Sequence, residues 1–222
     1  MKRERTMIEN AAVLPETVAQ KLRADIIAQR DAPGSAITES AVALRFGVAR
    51  PTARIAIDRL VADGILRREA HRAARVPELS YDDVLDLFDT RSIVETAAMA
   101  ALAEAGAIPA EALAAHRALT ATDDFAHHDI QFHRALVAGQ PSSRLTRLHE
   151  LLMGEVELCI GQVQSAQLIT AHEVAEQHQG ILDAITAGDA ATAEGLTRDH
   201  ILGARDRLLT HLDTDTDLDT DS

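Results

Sequence analysis

The chain has 222 residues, 46% of them hydrophobic, which is enough for one large or two ordinary globular domains. Aromatic residues make up only 2%, which favours packed helices over a β-sandwich because strands prefer aromatic and β-branched side chains. The single cysteine, Cys159, excludes an intramolecular disulfide and fits the reducing conditions of the cytoplasm. No run of about 18 apolar residues is present, so we expect no membrane partner.

The charge of the chain is unevenly distributed. The net charge of −13 argues by itself against a nucleic-acid partner. Residues 1–77, however, carry 14 Lys and Arg against 9 Asp and Glu, a net of +5, and the remaining residues carry 8 against 26, a net of −18. A basic segment joined to an acidic one is typical of a DNA-reading domain attached to a second domain, although chance asymmetry is the alternative interpretation.

The first predicted elements are helical. We expect the opening segment, Met1–Val13, to be loose. A helix is predicted over Pro15–Arg30 because its apolar side chains recur on one face, and Glu39–Phe46 predicts a second, short amphipathic helix. Gly47 then suits a tight turn, and Pro51 suits the first turn of a third helix.

The third helix has one apolar face and one polar face. Its apolar side chains recur at helical spacing: Ala53, Ala56, Ile57 and Leu60. Arg50, Thr52 and Arg54 fall away from that face. Two short helices joined by a glycine turn, the second opening with arginine and threonine, are typical of a helix-turn-helix. The arginines can contact phosphates or guanine edges, and the threonine can contact either.

A short β-hairpin is predicted after this motif. Asp63-Gly64 predicts a turn, Ile65–Glu69 and Ala73–Val76 predict two short strands, and residues 70–72 form the tip between them. The hairpin completes a winged helix, and we place the DNA-binding domain at residues 1–77. The candidate DNA-contacting residues are Ser40, Arg50, Thr52, Arg54, His71 and Arg72.

Several motifs occur together in this domain: the early helix, Pro33-Gly34, Ile37-Thr38-Glu39, Gly47-Val48-Ala49-Arg50, Arg54, Arg59-Leu60 and Ala62-Asp63-Gly64-Ile65. Through them, residues 18–76 resemble the DNA-binding domain of the GntR family of bacterial transcription regulators. The resemblance implies binding to an inverted repeat in double-stranded DNA, with the third helix in the major groove. The chain departs from the family pattern at Ser40, Ala49, Pro51-Thr52, Ile55 and Ala73. The departures leave fewer donors for base contacts, each worth about 1–3 kcal/mol of discrimination.

The rest of the chain predicts an antiparallel bundle of six helices over residues 78–212. Ser80 is the expected N-cap of the first helix, which runs to about Glu104. The other five helices are expected after Pro109, from Asp123 or Asp124 to about Ala138, over Arg144–Gln167, from the capping box Thr170-Ala-His-Glu173, and from Gly188-Asp189 to about Leu212. Residues 213–222 are acidic and of low complexity, which predicts a disordered tail.

Four residues of the bundle have the spacing of a metal site. Asp129 and His133 are four residues apart and share one helix face. His178 lies 10 residues before Gly188 and His200 lies 12 after it. Helices that fold back at this glycine place both histidines at nearly the same height, about 15 and 18 Å from the turn. One carboxylate and three imidazoles match the donors of divalent metals. Histidines that pack in the core or face solvent are the alternative interpretation.

A second resemblance covers residues 82–212. It is carried by Asp89-Thr-Arg91 with Glu95, Asp129-Ile-Gln-Phe-His133, Glu176-Gln-His178, Ala184-Ile185, Gly188-Asp189 and His200-Ile201. These motifs are similar to the FadR-type C-terminal ligand-binding domain (FCD domain) of the same superfamily, and six helices suggest its VanR-like subgroup. The resemblance implies a homodimer with a metal on Asp129, His133, His178 and His200. The metal is most often zinc, with nickel, manganese or iron as alternatives, and a small carboxylic acid effector binds to it.

Two further residues are candidates for binding the effector. The fork of Arg91 matches a carboxylate, although a structural pair with Glu95 is the alternative. His149 is placed to line the cavity. We therefore expect a DNA-binding transcription regulator, a repressor, and not an enzyme. Two alternatives remain: an HD-type metal-dependent phosphohydrolase, suggested by His128-Asp129, and a metal-free helical dimerisation module.

Overall fold

The computed structural model describes the backbone of residues 2–121 and 125–219, and the side chains of residues 14–121 and 125–213. The chain divides into two compact units, Met1–Glu78 and Leu79–Ser222. Both units are mainly helical, and the first also contains a small sheet. The mainly helical fold predicted from composition and periodicity is therefore confirmed.

The described part of the N-terminal unit contains three helices: α1 (Lys2–Ile27), α2 (Glu39–Phe46) and α3 (Arg50–Ala62). The hydroxyl of Thr38 caps α2 by accepting a hydrogen bond from the backbone N–H of Ala41, at 3.2 Å. Gly47 ends α2 with a φ of 64°, a left-handed conformation that glycine adopts at little steric cost. The two helices and the turn of the helix-turn-helix are therefore confirmed.

The core of this unit lies around α3, which contacts both α1 and α2. The predicted apolar face of α3 is buried: Ala53, Ala56, Ile57 and Leu60. Leu22 of α1 and Val42 of α2 are buried as well. Each large aliphatic side chain removed from water stabilises the fold by about 1.5–3 kcal/mol, so this face holds the three helices together.

The wing differs from the predicted hairpin. Two short strands, β1 (Ala36–Ile37) and β2 (Ala74–Arg75), pair antiparallel, with Ala36 opposite Arg75. The predicted first strand, Ile65–Glu69, contributes only one bridge, from Arg67 to Arg75. The prediction of a regular two-stranded hairpin was therefore wrong, and β1 was missed.

The reason lies in the burial of two consecutive residues. Ile65 and Leu66 are both buried, with 0% and 1% of their surface exposed. Successive side chains of a strand point to opposite faces, so a regular strand at the edge of this unit would expose one of the two. Contact with the helical core therefore outweighs the β-propensity of this segment. The strand β1 has only two residues, too few to show an alternating pattern.

Helix α1 begins at Lys2, whereas we expected Met1–Val13 to be loose. The predicted helix began at Pro15, whereas the structure has this proline inside the helix, although proline usually occupies a first turn because it lacks a backbone N–H. The residues before it are rich in Ala, Arg, Glu and Met, which have high helix propensity. They continue the helix on the N-terminal side of the proline, so the expectation of a loose segment was wrong.

The C-terminal unit contains six helices in its described residues: α4 (Tyr81–Ala105), α5 (Ala110–Ala118), α6 (Phe125–Gly139), α7 (Ser143–Ser165), α8 (Ala171–Thr186) and α9 (Ala190–Asp219). Capping boxes begin α4 at Ser80 and α8 at Thr170. The predicted helix start at Asp123 or Asp124 lies outside the described residues.

Helix α9 continues to Asp219, beyond the end expected near Leu212. The acidic segment contains neither glycine nor proline, so nothing in it breaks a helix that is already formed. The prediction of a disordered tail was therefore wrong for residues 213–219, which are helical.

Helix α4 runs through the middle of the C-terminal unit and contacts α6, α7, α8 and α9. The apolar core forms two clusters. One contains Phe88, Ile130 and Ile201, and the other contains Met99, Phe132 and Ile181, each with further aliphatic side chains. Since both clusters draw on the same helices, a polar segment on each helix can lie between them.

No single helix in the described residues is long and apolar enough to cross a membrane. Helices α4 and α5 pass that test only as a pair, across a bend of 118°.

Alanine substitutions at two glycines of this unit should have opposite effects on stability. A Cβ atom at Gly139 would lie 2.2 Å from Cγ of Pro109, whereas a Cβ at Gly195 meets no described atom within 4 Å. We expect Gly139→Ala to lower the melting temperature, because the proline ring must move. We expect Gly195→Ala to add about 0.5–1 kcal/mol, because alanine is the better helix former. Thermal unfolding of both variants measures this, and a Gly139→Ala protein as stable as wild type would contradict the tight contact.

Candidate metal centre and DNA-reading surface

Four polar side chains from three helices meet inside the C-terminal unit. Asp129 and His133 lie one turn apart on α6, His178 lies on α8 and His200 lies on α9. All four are buried, with 2%, 1%, 0% and 7% of their surface exposed. One ligand atom of each lies within 4.8 Å of the others. The structure thus brings together the four residues whose spacing suggested a metal site.

The three imidazoles face one another through their Nε2 atoms. Nε2 of His200 lies 3.0 Å from Nε2 of His133 and 3.4 Å from Nε2 of His178. Oδ1 of Asp129 lies 3.2, 3.6 and 3.7 Å from the Nε2 atoms of His178, His200 and His133. Donor atoms bound to one ion at about 2.1 Å are separated by about 3.0–3.4 Å, so the spacing fits a single metal ion.

The chemistry of the donors also fits a divalent metal. Three imidazole nitrogens and one carboxylate oxygen suit zinc, and they suit nickel, manganese and iron as well. Oδ2 of Asp129 is buried without a hydrogen-bond partner among the described residues, an arrangement that is costly without a ligand. The described residues could therefore hold one divalent ion.

Burial dominates the protonation of this cluster. It holds the pKa of His178 well below its usual value and lowers the pKa of His133, because a buried imidazolium is poorly solvated. Burial alone would raise the pKa of Asp129, but hydrogen bonds from His178 and His200 outweigh it and hold that pKa well below the usual range. Neutral imidazoles and an ionised carboxylate are the forms that bind a metal.

The three imidazole rings contact different residues on the side that faces away from the cluster. Nδ1 of His200 contacts Oε1 of Gln177 at 2.7 Å. The ring of His178 stacks on Phe132 with the ring centres 3.8 Å apart. Nδ1 of His133 lies 2.5 Å from Oε2 of Glu95, an ion-pair distance whose alignment departs from an ideal hydrogen bond. These contacts fix the orientation of the rings.

Arg91 and His149 both contact Glu95, which is fully buried. Nε of Arg91 donates a hydrogen bond to Oε1 of Glu95 at 2.7 Å, and Nε2 of His149 lies 2.9 Å from the same oxygen. The structural pair of Arg91 with Glu95 is therefore present. The Nη1 and Nη2 groups of Arg91 are buried and have no hydrogen-bond partner among the described residues. The guanidinium thus retains two donor groups for a ligand.

The electrostatics of Glu95 depend on these neighbours. Burial alone would raise its pKa, but the charge of Arg91 and the contacts with His133 and His149 hold it well below the usual range. Glu95 is therefore ionised in the interior.

The phosphohydrolase alternative uses His128 with Asp129 and needs an earlier histidine ligand, for which His116 is a poor candidate. His128 is half-buried on α6, and His127 beside it is exposed. Nε2 of His116 lies 3.1 Å from Oε1 of Gln179 on α8. Neither His116 nor His128 belongs to the group of potential ligands found among the described residues.

The candidate DNA-contacting residues of the helix-turn-helix lie on α2 and α3. Arg50 is exposed at the first position of α3, and Thr52 is half-buried in the same turn. Ser40 is exposed in the first turn of α2. Nε of Arg54 lies 4.0 Å from Glu39 and 3.7 Å from Asp58, and 67% of the arginine side chain is exposed. The first turns of α2 and α3 thus lie together.

The two remaining candidates lie at the tip of the wing. His71 has a φ of 64° and is exposed, and Arg72 forms an exposed ion pair with Glu69 at 2.8 Å.

Two family models match the chain. The model of the gntR family of bacterial regulatory proteins matches residues 14–76, and the FCD domain model matches residues 86–203, more than half of the chain. The chain belongs to the GntR family of transcription regulators. Its FCD domain places it in the FadR-type subfamily, and the VanR-like subgroup stays a prediction.

Relatives of this GntR regulator are similar over most of their length. The "Probable D-xylose utilization operon transcriptional repressor" of Paenarthrobacter nicotinovorans is 30% identical over 196 residues, which cover 83% of this chain and 86% of that protein. The "HTH-type transcriptional repressor GlaR" of Escherichia coli K12 is 27% identical over 199 residues, which cover 82% and 89%. These relatives are regulators and not enzymes, so the prediction of a DNA-binding regulator is confirmed and the phosphohydrolase alternative is not favoured.

Solved structures share the fold. A GntR regulator from Rhodococcus sp. RHA1 has a TM-score of 0.71 at 24% identity, over 88% of this chain and 97% of that one. McbR/YncC of E. coli has a TM-score of 0.70 at 19% identity, over 90% and 98%. The similarity confirms a GntR winged helix followed by a helical domain.

Sequence reasoning missed two partners of the metal cluster. Glu95 was considered only as a partner of Arg91, and its contact with His133 joins α4 to α6. Gln177 was not singled out, although it precedes His178 and contacts His200. For Glu95, the sequence signal that could have indicated this role was its position four residues after Arg91. A carboxylate that pairs with a buried arginine is itself expected to be buried.

The metal-free GntR regulator should lose stability as the pH falls from about 7.5 to about 5.5. The unfolded chain takes up protons on His133 and His178 near their usual pKa of about 6.5, whereas the folded chain, whose pKa values are lower, does not. Well above pH 6.5, both histidines are neutral in the folded and the unfolded chain, so they do not change the free energy of unfolding. Below pH 6.5 they are protonated in the unfolded chain alone, which favours unfolding. The pKa values of Asp129 and Glu95 are held well below the usual range, so these two carboxylates do not titrate in this window. Chemical unfolding of the chelator-treated protein across the range measures the slope.

The control for this pH dependence is His178→Gln, which removes one of the two groups. The slope of the unfolding free energy against pH should become shallower by up to about 1.4 kcal/mol per unit. Equal slopes for the variant and the wild type would show that His178 is already protonated in the folded protein or stays neutral in the unfolded one.

Proposed function

We propose that this GntR regulator is a cytoplasmic, homodimeric repressor that releases its operator when a small carboxylic acid binds at a metal in the C-terminal unit. The observation that carries the proposal is the buried Asp129–His133–His178–His200 cluster, joined through Glu95 to Arg91, whose two Nη groups have no hydrogen-bond partner among the described residues.

The metal would be held by the four clustered residues, and zinc best matches their donor set, with nickel, manganese or iron as alternatives. When bound, the ion supplies a Lewis-acid position for a carboxylate oxygen. Asp129 would contribute the negative charge, and the imidazole nitrogens of His133, His178 and His200 would contribute the remaining donors. Four protein donors leave one or two positions on a five- or six-coordinate ion, which is where an effector would bind.

Arg91 would select an acidic effector. Its Nε is occupied by Glu95, while Nη1 and Nη2 remain as two parallel donors in the interior. A guanidinium binds a carboxylate through two such bonds, which are stronger than neutral hydrogen bonds. His149 contacts the same glutamate and would complete the polar lining next to Arg91.

The DNA half of the proposal rests on α3 and the wing. Arg50, Thr52 and Arg54 occupy the first turns of α3, the end that enters the major groove in helix-turn-helix proteins. Ser40 on α2 and the tip residues His71 and Arg72 would contact the flanking backbone or the minor groove. A homodimer would present two such heads to an inverted repeat.

Control of the operator requires coupling between the two sites. An effector that binds better to the DNA-free form shifts the population toward that form and weakens operator binding. By linkage, operator DNA weakens effector binding by the same factor. The proposed sign, release by the effector, agrees with the names of two relatives as repressors.

The DNA-binding proposal predicts different effects for two arginines. Arg54→Ala should cost about 1–3 kcal/mol of binding free energy on the operator and relax sequence preference, because the proposal assigns Arg54 a contact with base edges. Arg72→Ala should weaken binding to all sequences and reduce the dependence of log affinity on log salt by about one. Footprinting upstream of the protein's own coding region, followed by titration at several salt concentrations, measures both.

The matched control is Arg147→Ala, an exposed arginine of the C-terminal unit. It should change neither affinity nor salt dependence. An Arg54→Ala protein with wild-type affinity and specificity would remove this residue from the base contacts.

The metal proposal predicts loss of ion and response together. Wild-type protein purified without a histidine tag should contain stoichiometric metal, and the double variant His178→Ala with His200→Ala should not. The double variant should still bind the operator at moderate temperature, but small mono- and dicarboxylic acids should no longer release it. Elemental analysis and gel-shift titration of the same preparations measure the two effects.

Two further variants separate metal from effector. His127→Ala, an exposed histidine on the same helix as His133, should leave the metal in place. Arg91→Met should retain the metal and lose the carboxylate response. Stoichiometric metal in the double histidine variant would overturn the assignment, and a wild type without metal would favour the metal-free dimerisation module.

A further inference from the structure

Glu95 occupies a junction between the metal cluster and the guanidinium of Arg91. It lies on α4 and is fully buried. Its Oε1 accepts a hydrogen bond from Nε of Arg91 at 2.7 Å and lies 2.9 Å from Nε2 of His149. Its Oε2 lies 2.5 Å from Nδ1 of His133. Three nitrogen atoms from three different residues therefore converge on one carboxylate.

The positions of the hydrogens at this junction follow from the chemistry of the groups and from their separation, since the 2.5 Å contact of His133 with Glu95 is close but not aligned as a regular hydrogen bond. An ionised carboxylate can only accept, and a guanidinium can only donate. The Nδ1 atom of His133 that faces Glu95 must then carry the hydrogen. Its Nε2 atom is left with a lone pair that points toward Asp129 and His200. This is the tautomer that a metal ligand requires.

We propose that Glu95 is a positioning residue of the metal centre, which holds His133 in the metal-binding tautomer while Arg91 holds the carboxylate. The inference rests on the metal binding proposed above. Both oxygens of a carboxylate accept, so Glu95 can satisfy Arg91 and His133 at the same time, whereas an amide at position 95 could present its one oxygen to only one of them.

The other two imidazoles do not have such a partner. Nδ1 of His200 contacts Gln177, whose amide is neutral. Nδ1 of His178 is buried with no hydrogen-bond partner and no carboxylate contact among the described residues, and the ring stacks on Phe132. Among the described contacts of the three rings, only His133 meets a charged acceptor on the side away from the cluster. Replacement of Glu95 should therefore act through His133.

The variant Glu95→Gln tests the role because an amide has one acceptor and one donor end. If its oxygen faced His133, its NH2 group would face Nε of Arg91, donor against donor. The oxygen should instead face Arg91, which directs the NH2 group at Nδ1 of His133. The imidazole must then carry its hydrogen on Nε2, where it blocks the metal.

We expect Glu95→Gln to weaken the binding of Zn²⁺ and Co²⁺ by about 10–100-fold, as measured by competition with a chromophoric chelator. The visible absorption of the Co²⁺-loaded protein should change as well, because one nitrogen ligand is lost or displaced. The double variant Glu95→Gln with Arg91→Met should recover part of the affinity, because the amide is then free to turn its oxygen toward His133. Arg91→Met alone should stay within a few-fold of wild type.

The matched control is Glu157→Gln on α7, a second glutamate with only 4% of its surface exposed and an arginine neighbour, Arg134, at 3.7 Å. It should bind metal like wild type. If Glu95→Gln does not fold, Glu95→Asp replaces it, because the shorter side chain cannot reach Arg91 and His133 together, and the same loss of metal affinity is expected.

The results separate this inference from the proposed function. Wild-type protein without stoichiometric metal would overturn the metal centre itself. A wild type that binds metal, with Glu95→Gln of equal affinity and unchanged Co²⁺ spectrum, would overturn the role of Glu95 alone. A double variant that binds no better than Glu95→Gln would assign Glu95 a packing role and overturn the positioning role.

Discussion

Charges buried between two apolar clusters are the constraint on which the C-terminal unit depends. Arg91, Glu95 and Asp129 are nearly inaccessible to solvent, and an unpaired ion in the interior costs several kcal/mol. Each charge must therefore meet a partner that is fixed in place. The chain achieves this locally by spacing partners four residues apart, Arg91 with Glu95 on α4 and Asp129 with His133 on α6. The contact between Glu95 and His133 then joins the two pairs.

The same constraint determines how the helices align. On α6, His133 lies between Ile130 of one apolar cluster and Leu136 of the other, and on α8 His178 lies between Val174 and Ile181. A slip of one helical turn, about 5.4 Å, would move a charged group into an apolar cluster. The burial of polar residues therefore costs stability but selects one register among the several that an alanine- and leucine-rich bundle would otherwise allow.

The periodicity of apolar residues predicted most of the helices. The remaining features depend on contacts between segments that are distant in the sequence. The four clustered residues could be predicted because positions four apart share a face and positions at similar distances from Gly188 reach similar heights. The contact of Glu95 with His133 could not, since it depends on how α4 and α6 rotate against each other. The prediction of a strand at Ile65–Glu69 was wrong for a related reason. Ile65 and Leu66 are both buried, whereas a regular strand would point their side chains to opposite faces.

The uneven charge of the chain bears on how an acidic effector would reach its site. Residues after 77 carry a net charge of −18, which repels both the DNA backbone and a carboxylate in solution. Contact with DNA is thereby favoured for the basic N-terminal unit. In the interior, the guanidinium of Arg91, whose Nη groups have no hydrogen-bond partner in the described part of the chain, and a divalent ion would supply local positive charge. An anion that gains little from the surface field must therefore obtain its affinity, and its selectivity, from the buried site itself.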